Sequence, residues 1–378
     1  MLNNIFSLIK NNTNSSNQSD KNKVEQKERI VKNKRLWKII CYFSIFLFLI
    51  SIIFTVIYLS IFYRELIFSY NLNLEKENNV KCQDCVRRLI DGVYVKEGEE
   101  NLFPIAVIID NHIEARPSFG LSEANLVYET EVEGNITRYL AVFAVGTNIE
   151  KIGPIRSVRP YFIDWAKELS ALLVHCGGSP EALVKISKEN IFSLNEFYNE
   201  NYFWRDNGKS APHNIFTSSV NLKKYSNDKD LISGKFLSWS YKEGDMAIAS
   251  TTHPQININF KDSNFTVKWK YDIINNEYIR YLADQQHLDG TGKEIKAKNI
   301  IVQFMETAVI DEELRLKIKT QGRGSAIICL DGKCNLGKWE KVTISSRSRY
   351  YYNNGEDVIF NAGPTWIEIV RPDYNINY

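Results

Sequence analysis

Residues 39–63, IICYFSIFLFLISIIFTVIYLSIFY, contain no charged side chain. Twenty-five apolar or weakly polar residues exceed the roughly 20 needed to cross a bilayer as a helix. The stretch is too long and too even for the apolar core of a cleaved signal peptide, and no small-residue cleavage site follows it. The basic flank Lys32, Lys34, Arg35 and Lys38 precedes it, with only Arg64 close behind. The positive-inside rule then places residues 1–38 in the cytoplasm and residues 64–378 outside, in a single-pass protein of the cell membrane. Residues 1–38 carry nine Lys/Arg against three acids, so the rest of the chain is mildly acidic within a net charge of +2. That balance excludes nucleic acid as a partner of the extracytoplasmic part, and the Asn/Ser/Lys-rich tail is expected to be disordered.

The remainder divides into a juxtamembrane stalk (64–100), an α/β domain (101–235) and a smaller β-rich domain (236–378). In the stalk, Cys82 and Cys85 form a CxxC. Zinc would want two further ligands at similar spacing and none is nearby, so a local disulfide or a half-site is the expected use. No metal or cofactor signature occurs elsewhere; HExxH and GxSxG motifs are absent, and no SxxK occurs with its partner motifs.

In the α/β domain, residues 103–110 read as a buried strand ending at Asp110-Asn111, followed by a loop with His112, Glu114 and Arg116. Polar groups beyond a strand's C-terminal end are a common ligand position in α/β sheets. The next strand carries Glu129, Glu131 and Glu133, and a two-residue Gly134-Asn135 turn would set Glu131 opposite Arg138. Residues 153–180 concentrate the most chemistry. Ser157 is the expected cap of a helix whose apolar positions are Phe162, Trp165, Ala166 and Leu169. Arg156 and Arg159 fall at its start, where the helix dipole favours anions. A short strand then leads to His175, a glycine pair and a helix start at Gly178-Ser179, whose free N–H groups suit an anion. Arg156 and Arg159 require a negative partner, either a carboxylate of this chain or a bound anion. His175 is either a hydrogen-bonded structural histidine or an acid/base group. Downstream, Trp204-Arg205 and Ala211-Pro212-His213-Asn214 read as a long aromatic and polar loop that could face a ligand.

Residues 236–378 show short strands at 267–271, 278–282, 299–305, 314–318, 326–330, 350–352, 358–360 and 365–370, punctuated by Asp-Gly and Asn-Gly turns. The Asp331-Gly332 turn sets Cys329 opposite Cys334, compatible with a cross-strand disulfide. Gly322-Arg323-Gly324-Ser325 reads as a bulge or turn.

Taken together, several motifs look like those of the YerB-like family: Asp110-Asn111, Ala115-Arg116-Pro117, Gly120-Leu121, Glu133-Gly134 with Thr137-Arg138, the Gly153–Pro160 run, His175 with Gly177-Gly178-Ser179-Pro180, Phe203-Trp204-Arg205, and Ala211-Pro212-His213-Asn214. In the second half Tyr271-Asp272, Tyr278, Arg280, Asp289, Asn299, Gly322-Arg323-Gly324, Trp339, Lys341 and Gly363-Pro364-Thr365-Trp366 also fit. The resemblance covers about residues 95–372. It implies an α+β fold, a layered mixed sheet with helices followed by a β-rich part, in a bacterial envelope group of unknown activity with many lipoproteins. This chain departs in having an apolar span and no lipobox, and in reading Glu-Gly-Asn where a second glycine is usual. No catalytic residue transfers with the resemblance.

Three functions are compatible with these residues. The first is a tethered module binding an anionic polymer or a glycan of the envelope through Asn111, Arg116, Arg138, Arg156, Arg159, Gly178, Ser179, Trp204, Arg205, His213 and Asn214. The second is an envelope hydrolase or transferase using Asp110, Glu131, His175 and His213 as acid/base groups. The third is a scaffold with a protein partner.

Overall fold

The protein, described here from a computed structural model, is defined at residues 37–38, 42–64, 84–144, 146, 148–244, 252–253 and 255–378. The basic tail, Cys82 and most of the expected stalk lie outside the described residues. Two compact units, residues 1–77 and 78–378, are described separately. In the first, Tyr42–Arg64 is a 23-residue helix of mean hydropathy 2.8 with its side chains exposed, long and apolar enough to span a bilayer.

The second unit is built on ten strands in one sheet. In chain order they are β1 (Pro104–Asp110), β2 (Leu126–Glu131), β3 (Thr137–Ala144), β4 (Leu172–His175) and β5 (Ser193–Asn195). After β6 (Gln255–Ile258), β7 (Val267–Asp272) and β8 (Glu277–Leu282), which belong to a second sheet, come β9 (Asn299–Phe304), β10 (Gly322–Leu330), β11 (Lys333–Lys341), β12 (Arg349–Tyr352) and β13 (Thr365–Val370). The large sheet has the order β12-β11-β10-β9-β13-β2-β3-β1-β4-β5. Strands from both the 101–235 and the 236–378 parts of the chain therefore share one hydrogen-bonded surface. β13 is the seam, running parallel to β9 on one side and to β2 on the other.

Both faces of this sheet are covered, so β1 is buried along its whole length, as its unbroken apolar run requires. Ala106, Ile108, Tyr128, Leu140 and Val142 pack with helix α1 (Pro160–Glu168). Ile105, Val107, Ile109, Val127, Tyr139 and Ala141 pack on the opposite face with Ile256, Val267, Trp269 and Tyr278 of the second sheet. Helices α2 (Pro180–Lys188) and α3 (Ser219–Asp228) complete the set relevant below. Phe162, Trp165 and Ala166 of α1, and Leu169 just after it, are all buried as their spacing predicts. The Cys329–Cys334 disulfide is formed across β10 and β11.

Four local expectations are corrected. Glu133, Gly134 and Asn135 form a three-residue turn closed by Val132 and Ile136 rather than a two-residue one. Gly134 (φ 71°) and Asn135 (φ 59°) both take left-handed backbone there. The register shifts by one residue, so Glu131 faces Thr137, and Arg138 faces Thr130 and Asp110. A one-residue slip moves side chains to the other face, so the expected Glu131–Arg138 pair does not exist. Secondly, α1 is capped from Arg159 with Pro160 at its first turn, not from Ser157. Thirdly, Gly322–Ser325 is the start of β10, paired with β11, rather than a bulge. Lastly, residues 358–360 contribute only isolated bridges, whereas 333–341 is a full strand.

Between the two sheets lies a fully buried ion pair. Arg280 of β8 donates from Nη2 to Glu129 Oε2 of β2 at 2.5 Å, with both side chains at 0% exposure. Its guanidinium carbon is 4.8 Å from the Trp366 ring and 5.7 Å from the Trp269 ring. Glu368 lies directly beside Glu129 in the β13–β2 register. Burial, and then the Glu129 charge, push the Glu368 carboxyl well above the ordinary range. Burial and then the Arg280 charge hold His287 well below its ordinary value, so it accepts from Arg280 Nη1 as a neutral ring. Removing one partner leaves the other charge stranded. Arg280→Met is expected to lower the unfolding free energy by about 3–5 kcal/mol, and the Glu129→Gln/Arg280→Met double variant to regain part of it. Urea unfolding followed by tryptophan fluorescence measures both.

Candidate functional site

Asp110 closes β1 and is 1% exposed, which is unusual for a carboxylate without partners. It has several. Its Oδ1 accepts from the His112 backbone N–H at 3.1 Å, and its Oδ2 accepts from His213 Nδ1 at 2.7 Å. Arg156 Nε lies 3.0 Å from the same Oδ2, but off the N–H axis, as an ion contact rather than a hydrogen bond. Arg138 stands opposite on β3. Burial works against ionisation of Asp110. The Arg138 charge, the His112 N–H, the Arg156 charge and the His213 bond together outweigh it and hold the carboxyl below its ordinary value.

The backbone brings these groups together by three routes. Residues 155–158 run as an extended segment across the sheet end, with Ile155 N–H donating to Ile215 O, Arg156 N–H to Ile108 O and Val158 N–H to Gly177 O. That segment delivers Arg156 to Asp110. The loop after β1 turns through a short 3-10 helix, Ile113–Ala115. It is tied down by Lys209 Nζ, which donates to Ala115 O and Arg116 O, each at 2.9 Å. Arg116 donates from Nε to Asn111 Oδ1 at 3.1 Å and from Nη2 to Asn264 O at 2.9 Å. The 204–216 segment is pinned by the short ladder of Trp204–Arg205 with Ile215–Phe216 and returns His213 to Asp110. The Arg116-Pro117, Gly153-Pro154 and Ala211-Pro212 peptides are all cis.

A chain of hydrogen bonds links this cluster to the buried pair. Thr137 Oγ1 donates to Glu129 Oε1, and Asn111 Nδ2 donates to Thr137 Oγ1, each at 2.7 Å. Asn111 in turn receives Arg116.

The arginines are only partly neutralised. Arg159 donates twice to Glu133, at 2.6 and 2.8 Å. Arg138 donates from Nη1 to Ser157 O at 2.8 Å, while its buried Nε has no hydrogen-bond partner among the described residues. Burial, followed by repulsion from Arg159 and set against attraction to Asp110, lowers Arg138 to about 10. Arg156 is 26% exposed, and among the described residues its guanidinium finds no hydrogen-bond acceptor.

Other expected residues go elsewhere. His175 is 1% exposed, its Nδ1–H donating to Gly177 O and its Nε2 accepting from Ser193, both at 2.7 Å. It is the structural histidine of the two readings, and the imidazole that joins the arginines is His213. Gly178 packs where an added Cβ would meet Val158 at 2.8 Å, and Ser179 caps its own helix by accepting from Ala182 N–H at 3.3 Å. The Ser179 N–H of that helix start is itself taken by Val158 O at 3.2 Å. Glu131 leaves the cluster for Arg371 at 2.8 Å and for the Tyr374 hydroxyl. Arg205 pairs with Glu196 and Asn214, each at 3.1 Å, and Trp204 stacks on Phe216. Two cavities, of 460 and 540 Å³, lie away from this cluster; Lys235, Phe236, Arg347 and Arg349 line the first, and Asn335, Asn353 and Tyr378 the second. Burial and then Glu196 push the Cys176 thiol up to about 12.

The chain matches, over residues 91–232, the N-terminal domain of a family described as a protein of unknown function, DUF3048, and over residues 256–367 its C-terminal domain. The protein named "Putative lipoprotein YerB" from Bacillus subtilis (strain 168) is 30% identical over 275 residues, 71% of this chain and 81% of that one. The chain belongs to the YerB-like family. The crystal structure of YerB from Bacillus subtilis agrees with the fold at a TM-score of 0.69 and 27% identity, covering 78% of this chain and all of that one. The YerB-like match thus runs through both parts of the large sheet and takes in every residue of the Asp110 cluster.

Sequence reasoning did not select His112, Glu114 or Lys209 for the site. The His-x-Glu pair beyond a strand end was visible, but its partner lies about a hundred residues on, and nothing in local spacing connects them.

The burial of His175 has a measurable consequence. Desolvation holds it down to about 4, against 6.5 when unfolded, so in that window the unfolded chain binds the extra proton. Its contribution to stability is full above about pH 6.5 and is lost as pH falls toward 4, up to about 3 kcal/mol. In His175→Gln, unfolding free energy plotted against pH is expected to be flatter across that range than in the wild type.

Proposed function

We propose that this YerB-like protein is a membrane-tethered extracytoplasmic module that binds an anionic polymer of the cell envelope. The reading rests on one observation: Arg156 is partly exposed and without a hydrogen-bond acceptor among the described residues, beside a buried Arg138, while Arg138, Arg156 and Arg159 share only Asp110 and Glu133 as paired carboxylates. A fixed surplus of guanidinium groups, with Asp110 setting the position of Arg156, favours a phosphate or carboxylate donated from outside. Charged glycans that carry such groups fit the same description.

Full-length protein in detergent micelles, titrated calorimetrically with purified anionic wall polymer, is expected to bind with an affinity that falls as salt rises. Arg156→Gln should weaken binding roughly 10- to 100-fold, as loss of a charged hydrogen-bond donor does, with thermal unfolding unchanged. Equal affinity in wild type and variant would overturn the assignment.

The tether is the Tyr42–Arg64 helix, and the lipoprotein name carried by the YerB relative supports the same envelope address by a different anchor. Protease added to intact cells is expected to remove an epitope within residues 84–378 and to spare an N-terminal one. Protection of both would place the folded unit inside.

A further inference from the structure

We propose that His112, Glu114 and His213 form a binding site for a divalent transition-metal ion of the zinc class, with Asp110 as a positioning residue. The site shares Asp110 Oδ2 with the Arg156 contact, but its ligand atoms lie on His112, Glu114 and His213 and it is tested with metal alone.

One donor atom from each of these three residues lies within 4.8 Å of the other two. Two imidazoles and a carboxylate are the ligand types zinc takes in open sites, with a further position left for water or substrate. Asp110 is placed as the outer partner of such a site. Its Oδ2 accepts from His213 Nδ1 at 2.7 Å, which fixes the proton on Nδ1 and leaves the Nε2 lone pair bare. That Nε2 points toward Glu114, 3.6 Å from its Oε2. The other oxygen of Asp110 accepts the His112 backbone N–H, so one carboxylate orients both histidine-bearing segments.

His213 Nε2 and the Glu114 carboxylate gain little from each other when the ring is neutral, yet the ring is buried and held in one tautomer. Access is open, since the Glu114 side chain is 74% exposed.

The rings of His112 and His213 are 4.7 Å apart and nearly parallel, at 12°. A tetrahedral ion with bonds of about 2 Å needs its donors roughly 3.4 Å apart, so one ring must turn. His112 is the one free to do so: it is half-buried on the loop side, and among the described residues its only side-chain hydrogen bond accepts from Glu114 N–H at a long 3.2 Å. Ligation through its Nε2 would put the ring proton on Nδ1 and exchange that bond for the metal.

The test uses full-length protein in detergent micelles, stripped with a chelator and dialysed against zinc chloride, with bound metal measured by mass spectrometry. Cobalt(II) chloride serves as the spectroscopic probe. The wild type is expected to retain a single zinc ion and to give a tetrahedral cobalt spectrum without a thiolate charge-transfer band. His112→Gln and Glu114→Gln, on the accessible side, should each weaken retention at least tenfold while circular dichroism and melting stay unchanged. Asp110→Asn should weaken it roughly 10- to 100-fold. If His213→Gln fails to fold, the two accessible variants decide the matter alone. Absence of zinc retention by the wild type, retention indifferent to His112→Gln and Glu114→Gln, or a cobalt spectrum dominated by thiolate would each overturn the site.

Discussion

A guanidinium enclosed between two sheets, with two carboxylates from adjacent strands beside it, sets the terms for the rest of this structure. Arg280 and Glu129 are each fully removed from solvent, and the desolvation cost of such a pair is met only by close geometry and by satisfying the remaining polar atoms. Trp269, Trp366, His287, Thr137 and Glu368 surround the pair, although Arg280 Nε keeps no hydrogen-bond partner among the described residues. Since Arg280 comes from β8 and Glu129 from β2, the pair fixes how the second sheet lies on the first. The same constraint reaches the surface. Glu129 holds Thr137, Thr137 holds Asn111, and Asn111 holds Arg116 in the loop that carries His112 and Glu114. The candidate site is therefore the outer end of a buried polar network.

Asp110 organises that outer end by having more suitors than it can neutralise. It satisfies a backbone N–H, orients an imidazole and holds an arginine beside it, but Arg138 and Arg156 both press on the same carboxylate. A carboxylate shared in this way leaves positive potential at the rim while keeping the groups that create it in fixed places. Preorganised positive groups lower the cost of ordering when a ligand arrives.

How much of this was legible in the sequence depended on the distance over which a feature is decided. The strand ending at Asp110, the amphipathic spacing of α1, the apolar span and the Cys329–Cys334 pairing are all set within a few residues, and local pattern was enough. The Gly134-Asn135 turn was read as two residues, because Asn-type and Gly residues both suit the shorter turn; the three-residue closure then moved Glu131 and Arg138 to opposite faces. His175 looked as suitable as His213, because a histidine's partners decide its role, and Ser193 and Asp110 are tertiary choices. Arg280 and Glu129 are separated by 151 positions; no local rule distinguishes them from exposed charges until the two sheets meet.

The placement of β13 has a temporal side. It follows β2 and β9 in the chain, yet it occupies an interior lane of the large sheet, flanked on both sides by those earlier strands. Until it arrives, β2 and β9 each present a bare edge, and no hydrogen-bonded connection joins the halves of that sheet. Completion of the large sheet must wait for β13, a long-range pairing that favours slow, all-at-once assembly over stepwise growth. Meanwhile the open edges need shielding from other chains. A premature stop shortly before residue 365 would thus leave two half-sheets with no strand to join them.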